Sequence, residues 1–535
     1  MKAAEAIVEC LKQENVKIVF GYPGAAVIAI YEALRKSDIK HILTRHEQAA
    51  GHSASGYARA TGTTGVCIAT SGPGATNIIT SIATAYMDST PLVIITGQVR
   101  TNLIGRDAFQ EADIVGATES FTKHSYLVKN AKEIPRIIKE AFYIASTGRP
   151  GPVLIDIPAD LQEIDIDFKY PNEVDIRGYK PTVKGHKGQI KRVLERLKDS
   201  RRPLICVGGG IALAKAEKEL KSFVEKSKIP VVHTLMGKDC MESDNPYYMG
   251  LIGSHGFRHA NLAVQHADLL IFIGTRIADR AASGTKFFAD NAYVIHIDVD
   301  PAEIGKNIGY NIPVVGDAKN ILQQLTSGVS PLNTEEWVEE IKAFRSNRKY
   351  EMDTDRVSPK YALRLLSEMV EDDAVITTDV GQNQIWSVRN FGIKESTKFI
   401  TSGGLGTMGY GLPSAVGAKF GVPSRRVIAV TGDGGFQMSL FELGTIAEYD
   451  VNIIILLFNN SGLGMVREIQ RNVYREPFGV AINSNPDFVK LVEAYGLKGR
   501  RVSTNQELQD AFQEALASEK AFLIECMVNP MESTL

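Results

Sequence analysis

Asp433 and Asn460 are the side chains whose setting most directly suggests chemistry. Asp433 lies in Thr431-Gly432-Asp433-Gly434-Gly435, Asn460 follows Asn459, and residues 435–458 separate the Gly-Asp-Gly from the Asn-Asn pair. One carboxylate and one amide oxygen, completed by diphosphate oxygens, make the hard shell that Mg²⁺ prefers. The glycines let backbone N–H groups approach phosphate where the following helix begins. The flanking residues say how such a pair is positioned. Residues 427–430 and 453–458 are short apolar runs, and Phe436, Leu440, Leu443 and Ala447 recur between them at helical spacing. The unit reads strand, helix, strand. A right-handed crossover brings the C-terminal ends of both strands to one sheet edge, so Asp433 and Asn460 are expected to face one another across a crevice. The same pattern also describes a plain buried βαβ unit whose Gly and Asn residues only make turns.

A chain of 535 residues suggests about three domains. A hydrophobic share of 44% and a charged share of 23% are those of a water-soluble globular protein. The net charge of −2 offers no basic excess to displace counterions, which argues against a nucleic-acid partner. No apolar run reaches the length of a membrane span, so no membrane partner is expected. The opening MKAAEAIVECLKQENV is amphipathic, without the apolar core of a signal peptide or the acid-poor, basic character of a transit peptide. Cys10, Cys67, Cys206, Cys240 and Cys526 have neither metal nor redox spacing and read as reduced core residues of a cytoplasmic protein.

Residues 1–161 alternate amphipathic helices with apolar strands at 16–20, 39–44, 66–70, 92–96 and 153–157. Gly21-Tyr22-Pro23-Gly24 and Ser71-Gly72-Pro73-Gly74 are turns after strands, and Arg45-His46-Glu47-Gln48 opens a helix. Such alternation predicts a parallel α/β sheet with ligands beyond the carboxyl ends of its strands. Residues 160–185 read as a linker. A second sheet domain, 186–327, has strands at 203–207, 269–274 and 294–298, the first running into Gly208-Gly209-Gly210. That glycine turn lacks the full dinucleotide pattern and leaves nucleotide binding open. A polar stretch at 326–356, with a helix over 334–344, reads as a second linker. The third domain, 357–535, has a strand at 374–379, then Gly381-Gln382, the glycine run 403–409, and the Asp433–Asn460 unit. The glycine run suits backbone passing close to a cofactor. The first and third domains resemble two copies of one sheet type, although no sequence repeat links them. The fold class is α/β, with three doubly wound parallel sheets.

Glu47 has two readings. A glutamate at a helix N-terminus is favoured by the helix dipole alone. Beside an aminopyrimidine ring of a cofactor it would instead hydrogen-bond a ring nitrogen and favour the imino tautomer, whose nitrogen can then take a proton from a neighbouring carbon. The cofactor supplies the hard chemistry there, and the protein supplies tautomer control.

The Gly-Asp-Gly and Asn-Asn arrangement resembles that of thiamine-diphosphate enzymes, and the resemblance extends over nearly the whole chain. FGYPGAAVIAIYEAL, RHEQAAGHSASGYARATG, TSGPGATN, DAFQEADIVGATESFTKHSYLV, GRPGPVLIDIPADLQ, IDVDPAEIGKN, SGGLGTMGYGLPSAVGA, GDGGFQMSLFELGT and NPDFVKLVEAYG are similar to acetohydroxyacid (acetolactate) synthase large subunits, in the family's order. The resemblance implies that Glu47 is the catalytic glutamate and that Phe109 and Gln110 contact substrate. It makes Met408 the apolar wedge that keeps the cofactor bent. Asp433, Asn460 and Gly462 then hold Mg²⁺, with Gly381, Gln382, Asn383, Gly406, Gly432, Gly434, Gly435 and Met465 around the thiamine diphosphate. The central domain is the one that holds FAD in the family. Its matching positions are Gly208, Gly209, Thr234, Leu235, Met236, His255, Gly274, Arg276, Asp298, Glu303 and Asp317, with Arg177 from the linker. Acyl transfer needs no redox step, so a flavin would be structural. Arg280 is the candidate for the acceptor carboxylate, where a planar, permanent cation suits.

Four positions depart from the family pattern. Ala25 stands where a second glycine follows Tyr-Pro, narrowing the pocket. Asn383 replaces the histidine after Gln382 but keeps hydrogen-bond donors. Ala278 removes a flavin-contacting carboxylate. Ile469 replaces the tryptophan that favours 2-ketobutyrate as second substrate, so pyruvate becomes the expected acceptor. The resemblance implies an acetolactate synthase acting on 2-keto acids, built as a homodimer or tetramer with shared active sites, with a possible small regulatory subunit. Alternatives are a related 2-keto acid decarboxylase or carboligase, and a non-catalytic paralogue.

Overall fold

The computed structural model describes residues 1–282, 292–345 and 355–535. β1 (Ile18–Tyr22), β2 (Lys40–Leu43), β3 (Gly65–Ala69), β4 (Leu92–Gln98), β5 (His124–Leu127) and β6 (Pro152–Pro158) form a parallel sheet in the order β2-β1-β3-β4-β6-β5. Its central strands β3, β4 and β6 are buried at every position. That is why they read as unbroken runs of Val and Ile rather than as alternating strands.

The second sheet contains β7 (Pro203–Val207), β8 (Val231–His233), β9 (Tyr248–Leu251), β10 (Leu269–Ile273), β11 (Tyr293–Asp298) and β12 (Ile312–Val315), ordered β12-β11-β10-β7-β8-β9. The strand order reverses between β7 and β10, the point at which doubly wound sheets open a crevice for dinucleotides. The third sheet contains β13 (Val375–Thr378), β14 (Lys398–Thr401), β15 (Val427–Gly432), β16 (Ile454–Asn459), β17 (Lys498–Val502) and β18 (Phe522–Met527), ordered β14-β13-β15-β16-β18-β17. Numbered from its own first strand, this sheet repeats the order of the first. The expected likeness of the two domains is therefore one of topology.

The crossover between β15 and β16 differs from the single helix that its spacing predicts. It forms a short helix Asp433–Gln437, a 3₁₀ turn Leu440–Glu442 and a second helix Leu443–Glu448. The break comes at Ser439, with φ −139° and ψ 11°. Just beyond it, the buried Glu442 carboxylate accepts the Arg45 backbone N–H at 2.7 Å, tying the turn to the end of β2. The helix expected over 334–344 spans Glu335–Ala343 and buries Trp337, whose indole N–H donates to the Pro203 carbonyl at 3.0 Å. Residues 346–354 of the second linker lie outside the described residues. All five cysteines are buried and free. Among the described residues, no helix is long and apolar enough to cross a membrane.

The first and third sheets are joined through two helices, Glu47–Thr61 after β2 and Gly411–Gly421 after β14. They touch backbone to backbone. A Cβ on Gly56 would overlap the Ser414 carbonyl, and one on Gly417 would overlap the Ser53 carbonyl. The Ser53 hydroxyl donates to the Pro413 carbonyl at 2.9 Å, and the Ser55 and Tyr410 hydroxyls lie 3.0 Å apart. Gly417→Ala forces these helices apart. The expected cost is about 3 kcal/mol, the upper range for overpacking a tight core. A lowered melting temperature, with a larger drop than for alanine at the exposed Gly479, checks it.

Candidate functional site

The carboxyl ends of the third sheet's central strands carry the metal-type residues. Asp433 begins its helix directly after β15, and its carboxylate is 1% exposed. One oxygen accepts the Gly462 N–H at 3.1 Å and the Asn485 side-chain N–H at 2.8 Å. Burial pushes its pKa up from the ordinary value, and these donors hold it back down. Asn460 follows β16. Its amide N–H donates to the Gln382 side-chain oxygen at 2.9 Å, and its own oxygen is buried without a partner. The Asn383 side-chain oxygen is likewise buried and unpartnered.

The glycines around this edge serve close approach. Gly381 sits at φ +140° as the cap of the helix Gln382–Asn390. A Cβ on Gly434 would meet Leu463 at 2.8 Å and the Met408 methyl at 3.7 Å, while one on Gly435 would press on the Asp379 carboxylate. Gly432 keeps its backbone open beside the Asn383 amide.

Sequence reasoning missed four supporting residues. Asp379 is fully buried and accepts the N–H groups of Val380, Gly409 and Gly411 at 2.8–3.0 Å, fixing the Met408 loop to β13. Burial raises its pKa to about 6 against the pull of those donors. Asn485 orients Asp433 and also donates to the Asn459 side chain at 3.1 Å. Glu468 and Asn77 hold Gln382 and Glu47 respectively. None has a spacing signal, because each reaches its partner across the fold.

The first sheet presents a second cluster. Glu47 starts its helix immediately after His46, whose ring caps it by accepting the Gln48 N–H at 3.1 Å. The Asn77 amide donates to one Glu47 oxygen at 3.0 Å, and the other faces the short helix at Gly74. Gly24 packs on Thr70, and the Ala26 N–H donates to the Thr70 hydroxyl at 3.2 Å. Ala25 is exposed there and is not among the residues with positive φ, so its methyl group is tolerated. Gln110, at φ +59°, lies against Gly72, which a side chain would displace. Phe109 beside it is 88% exposed.

The central domain contributes a cavity of about 600 Å³ at its switch point. Gly208, Gly209, Thr234, Leu235, Met236, His255, Gly274, Arg276, Arg280, Asp298, Glu303 and Asp317 all line it. Close approach explains the glycines, since a Cβ on Gly210 would sit 2.5 Å from the Gly274 Cα and Gly274 itself is at φ +57°. Asp298, buried at the end of β11, has its pKa raised to about 6 by desolvation. Gly406, Met465 and Ile469 line the far end, so the cavity runs from the central sheet to the third. Arg177 is exposed and is not among the lining residues. Arg149 is, and it pairs with Glu303 at 2.7 Å. Glu47, Phe109 and Gln110 do not line this cavity either.

The glycine run 403–409 is where the three domains meet. Gly403 and Gly404 accept the approach of Met236 and Arg276 from the central domain and of the Met87 carbonyl from the first. Their N–H groups donate to Asp88 at 3.2 and 2.6 Å.

The donor set fits a hard cation bound with a diphosphate. It has one buried carboxylate, one unpartnered amide oxygen beside it, and glycine backbone free of side chains, in keeping with a cation that takes few protein ligands.

Comparison with known families agrees domain by domain. Residues 1–117 match the N-terminal TPP-binding domain of the thiamine pyrophosphate enzymes, 190–325 the central domain and 379–526 the C-terminal TPP-binding domain. The chain is 47% identical over 548 residues to the probable acetolactate synthase large subunit of Methanocaldococcus jannaschii, covering 100% of this chain and 93% of that one. It is 44% identical over 531 residues to the acetolactate synthase large subunit of Haemophilus influenzae (97% and 92% covered) and 43% identical over 529 residues to the isozyme 3 large subunit of Escherichia coli (96% and 92%). The chain belongs to the acetolactate synthase large-subunit family of thiamine pyrophosphate enzymes.

Proposed function

We propose that this chain is the catalytic subunit of an acetolactate synthase, decarboxylating pyruvate and joining the two-carbon unit to a second 2-keto acid, in the service of branched-chain amino acid synthesis. The observation that carries this reading is the buried, unpartnered Asn460 oxygen beside Asp433, in a chain that matches all three thiamine pyrophosphate domains. Bound thiamine diphosphate supplies the carbon nucleophile and the electron sink for decarboxylation and transfer. Asp433, Asn460 and the Gly462 carbonyl would hold Mg²⁺, and the helix start at Gly381–Asn383 with Gly432 would leave room for the diphosphate. Glu47, held by Asn77, would hydrogen-bond the aminopyrimidine nitrogen of the bound cofactor and favour its imino tautomer. Met408, beside Gly434, would give the bound cofactor apolar support. Arg280 offers a permanent cation to the acceptor carboxylate, and Ile469 with Met465 gives the cavity an apolar wall there.

The Glu47 cluster and the Asp433 cluster stand on different sheets, and large apolar side chains are exposed beside both. Phe109 is 88% exposed, as is Phe478 beyond the helix that carries Ile469. Exposed apolar surface of this kind marks a contact site, which supports a homodimer in which Glu47 of one copy serves Asp433 of another. The relatives' names specify a large subunit, which supports a small regulatory partner for this chain as well.

Product analysis with pyruvate tests the whole reading. Release of CO₂ with formation of acetolactate is expected, and release of acetaldehyde instead marks a simple decarboxylase. Glu47→Gln is expected to keep thiamine diphosphate binding and to lose most activity, a loss of about 10²–10⁴-fold for a removed proton-transfer group. Mixing refolded Glu47→Gln and Asp433→Ala copies restores activity if the site is shared between subunits. Mixtures no more active than either parent refute the sharing.

FAD occupies the central cavity in this reading, as a structural group. The twelve converging lining residues and the reversal of strand order support it, and Arg149 replaces Arg177 as the charged group at the pocket. Saturable quenching of flavin fluorescence by the purified protein is expected, weakened by Gly208→Val. Full carboligation without any FAD uptake overturns this assignment.

Ile469 sets the acceptor preference. A large aromatic ring against the extra methyl of 2-ketobutyrate is worth about 1–3 kcal/mol, a factor of about ten to two hundred. The smaller isoleucine leaves the two acceptors near parity when they compete at equal concentration, and Ile469→Trp raises the 2-ketobutyrate share. A strong preference for 2-ketobutyrate in the unmutated protein shows that other residues shape this wall.

A further inference from the structure

Asn460 can serve a cation only if its amide oxygen, not its NH₂, faces the metal position. The two ends of an amide are nearly the same size and differ in what they can donate or accept. Something in the protein must choose between them. The choice is traceable through buried side chains to Glu468.

Asn460 donates to the Gln382 side-chain oxygen at 2.9 Å. That bond fixes Asn460 only if Gln382 is itself fixed, since a turned Gln382 presents its NH₂ and requires Asn460 to turn as well. The Gln382 NH₂ donates to the Glu468 carboxylate at 2.8 Å and to the Glu532 backbone carbonyl at 2.9 Å. Both are acceptors with no hydrogen to give, so the NH₂ end of Gln382 can face only that way. Glu468 also secures the second acceptor. Its other oxygen takes the Ser533 hydroxyl at 2.8 Å and the Thr534 N–H and hydroxyl at 3.2 Å each, which holds segment 532–534 in place. The relay is sealed: Gln382, Asn460 and Glu468 are 5%, 6% and 8% exposed. The backbone of Gly464 lies directly over the Gln382–Asn460 bond, where any side chain would collide with both amides.

We propose that Glu468 is a positioning residue. Its acceptor-only carboxylate sets the direction of the Glu468–Gln382–Asn460 relay and thereby keeps the Asn460 oxygen turned to the cation. This rests on the Mg²⁺ reading of the Asp433–Asn460 pair. Glutamine at 468 is nearly isosteric but must place an NH₂ against a donor, either the Gln382 NH₂ or the Thr534 N–H. Turning Gln382 relieves the first conflict, and releasing segment 532–534 relieves the second. Either way the constraint on Asn460 is lost.

The test is a calorimetric titration of Mg²⁺ into cofactor-stripped full-length protein at a fixed saturating concentration of thiamine diphosphate, with circular dichroism to check the fold. Glu468→Gln is expected to weaken Mg²⁺ binding by about 10–100-fold, the usual cost of removing an outer partner of a metal ligand. In the Asn460→Asp background the same change is expected to cost nothing, because a carboxylate presents oxygen in either orientation. Gln382→Leu gives the same pair of results and stands in if Glu468→Gln does not fold. Equal losses in both backgrounds mean a general structural effect and overturn the relay. No loss from Glu468→Gln, while Asp433→Ala abolishes binding, overturns the relay and leaves the metal site standing. Undiminished Mg²⁺ binding by Asp433→Ala overturns both.

Discussion

Two helices that touch through their backbones set the geometry of everything else. Gly56 lies on Ser414 and Gly417 on Ser53 with no side chain between them. This contact joins the first sheet to the third, and the strand ends of each carry part of the site. Van der Waals repulsion is steep at such distances, so the contact has essentially one spacing. Its neighbours take their positions from it. Arg45 reaches Glu442, Gly444 and Glu448 across the same junction. Asp88 at the end of an adjoining helix holds the glycine run over the central cavity.

Much of the fold was legible because buried parallel strands announce themselves as apolar runs. β4, β7, β10 and β15 all read this way, with starts within a residue of those expected. β5, β8, β9, β12, β14, β17 and β18 were not expected, and four of them have clear physical reasons. β17 is Lys-Gly-Arg-Arg-Val at a sheet edge, where one side faces solvent and charge is tolerated. β8 has only three residues, and β9 pairs with it through an irregular register containing Gly250 at φ +89°. β18 buries Glu525 in an otherwise apolar strand, a cost met by Arg501 at 2.7 Å and Asn459 at 2.8 Å. Neither partner can be inferred from local sequence.

The candidate site divides along the same line. Asp433 and Asn460 were legible because the topology of a βαβ unit turns a sequence interval into a spatial one. Asn485, Asp379, Asn77 and Glu468 were not, because each acts on a residue brought near only by the fold. The central cavity lies between these cases. Resemblance supplied its residues, and the reversal of strand order at β7 and β10 explains why they converge. Arg177 remained outside because residues between Gln162 and Lys187 form no strand or helix that would direct it inward, whereas Arg149 precedes β6 and is held by Glu303.

The shared strand order of the outer sheets gives the helix junction a hidden symmetry. Each of its helices follows the second strand of its own sheet. Ser53 and Gly56 stand in one as Ser414 and Gly417 stand in the other, and each serine meets the other helix's glycine. This is the reciprocal pattern of an isologous dimer interface, here folded into one chain. Carried six residues back along the sequence, the same count pairs Glu47, the first residue of its helix, with Met408 in the glycine run just before the other. The two halves thus place a carboxylate and a thioether at equivalent stations. The chain is symmetric where it must pack and asymmetric at the residues proposed to meet the cofactor.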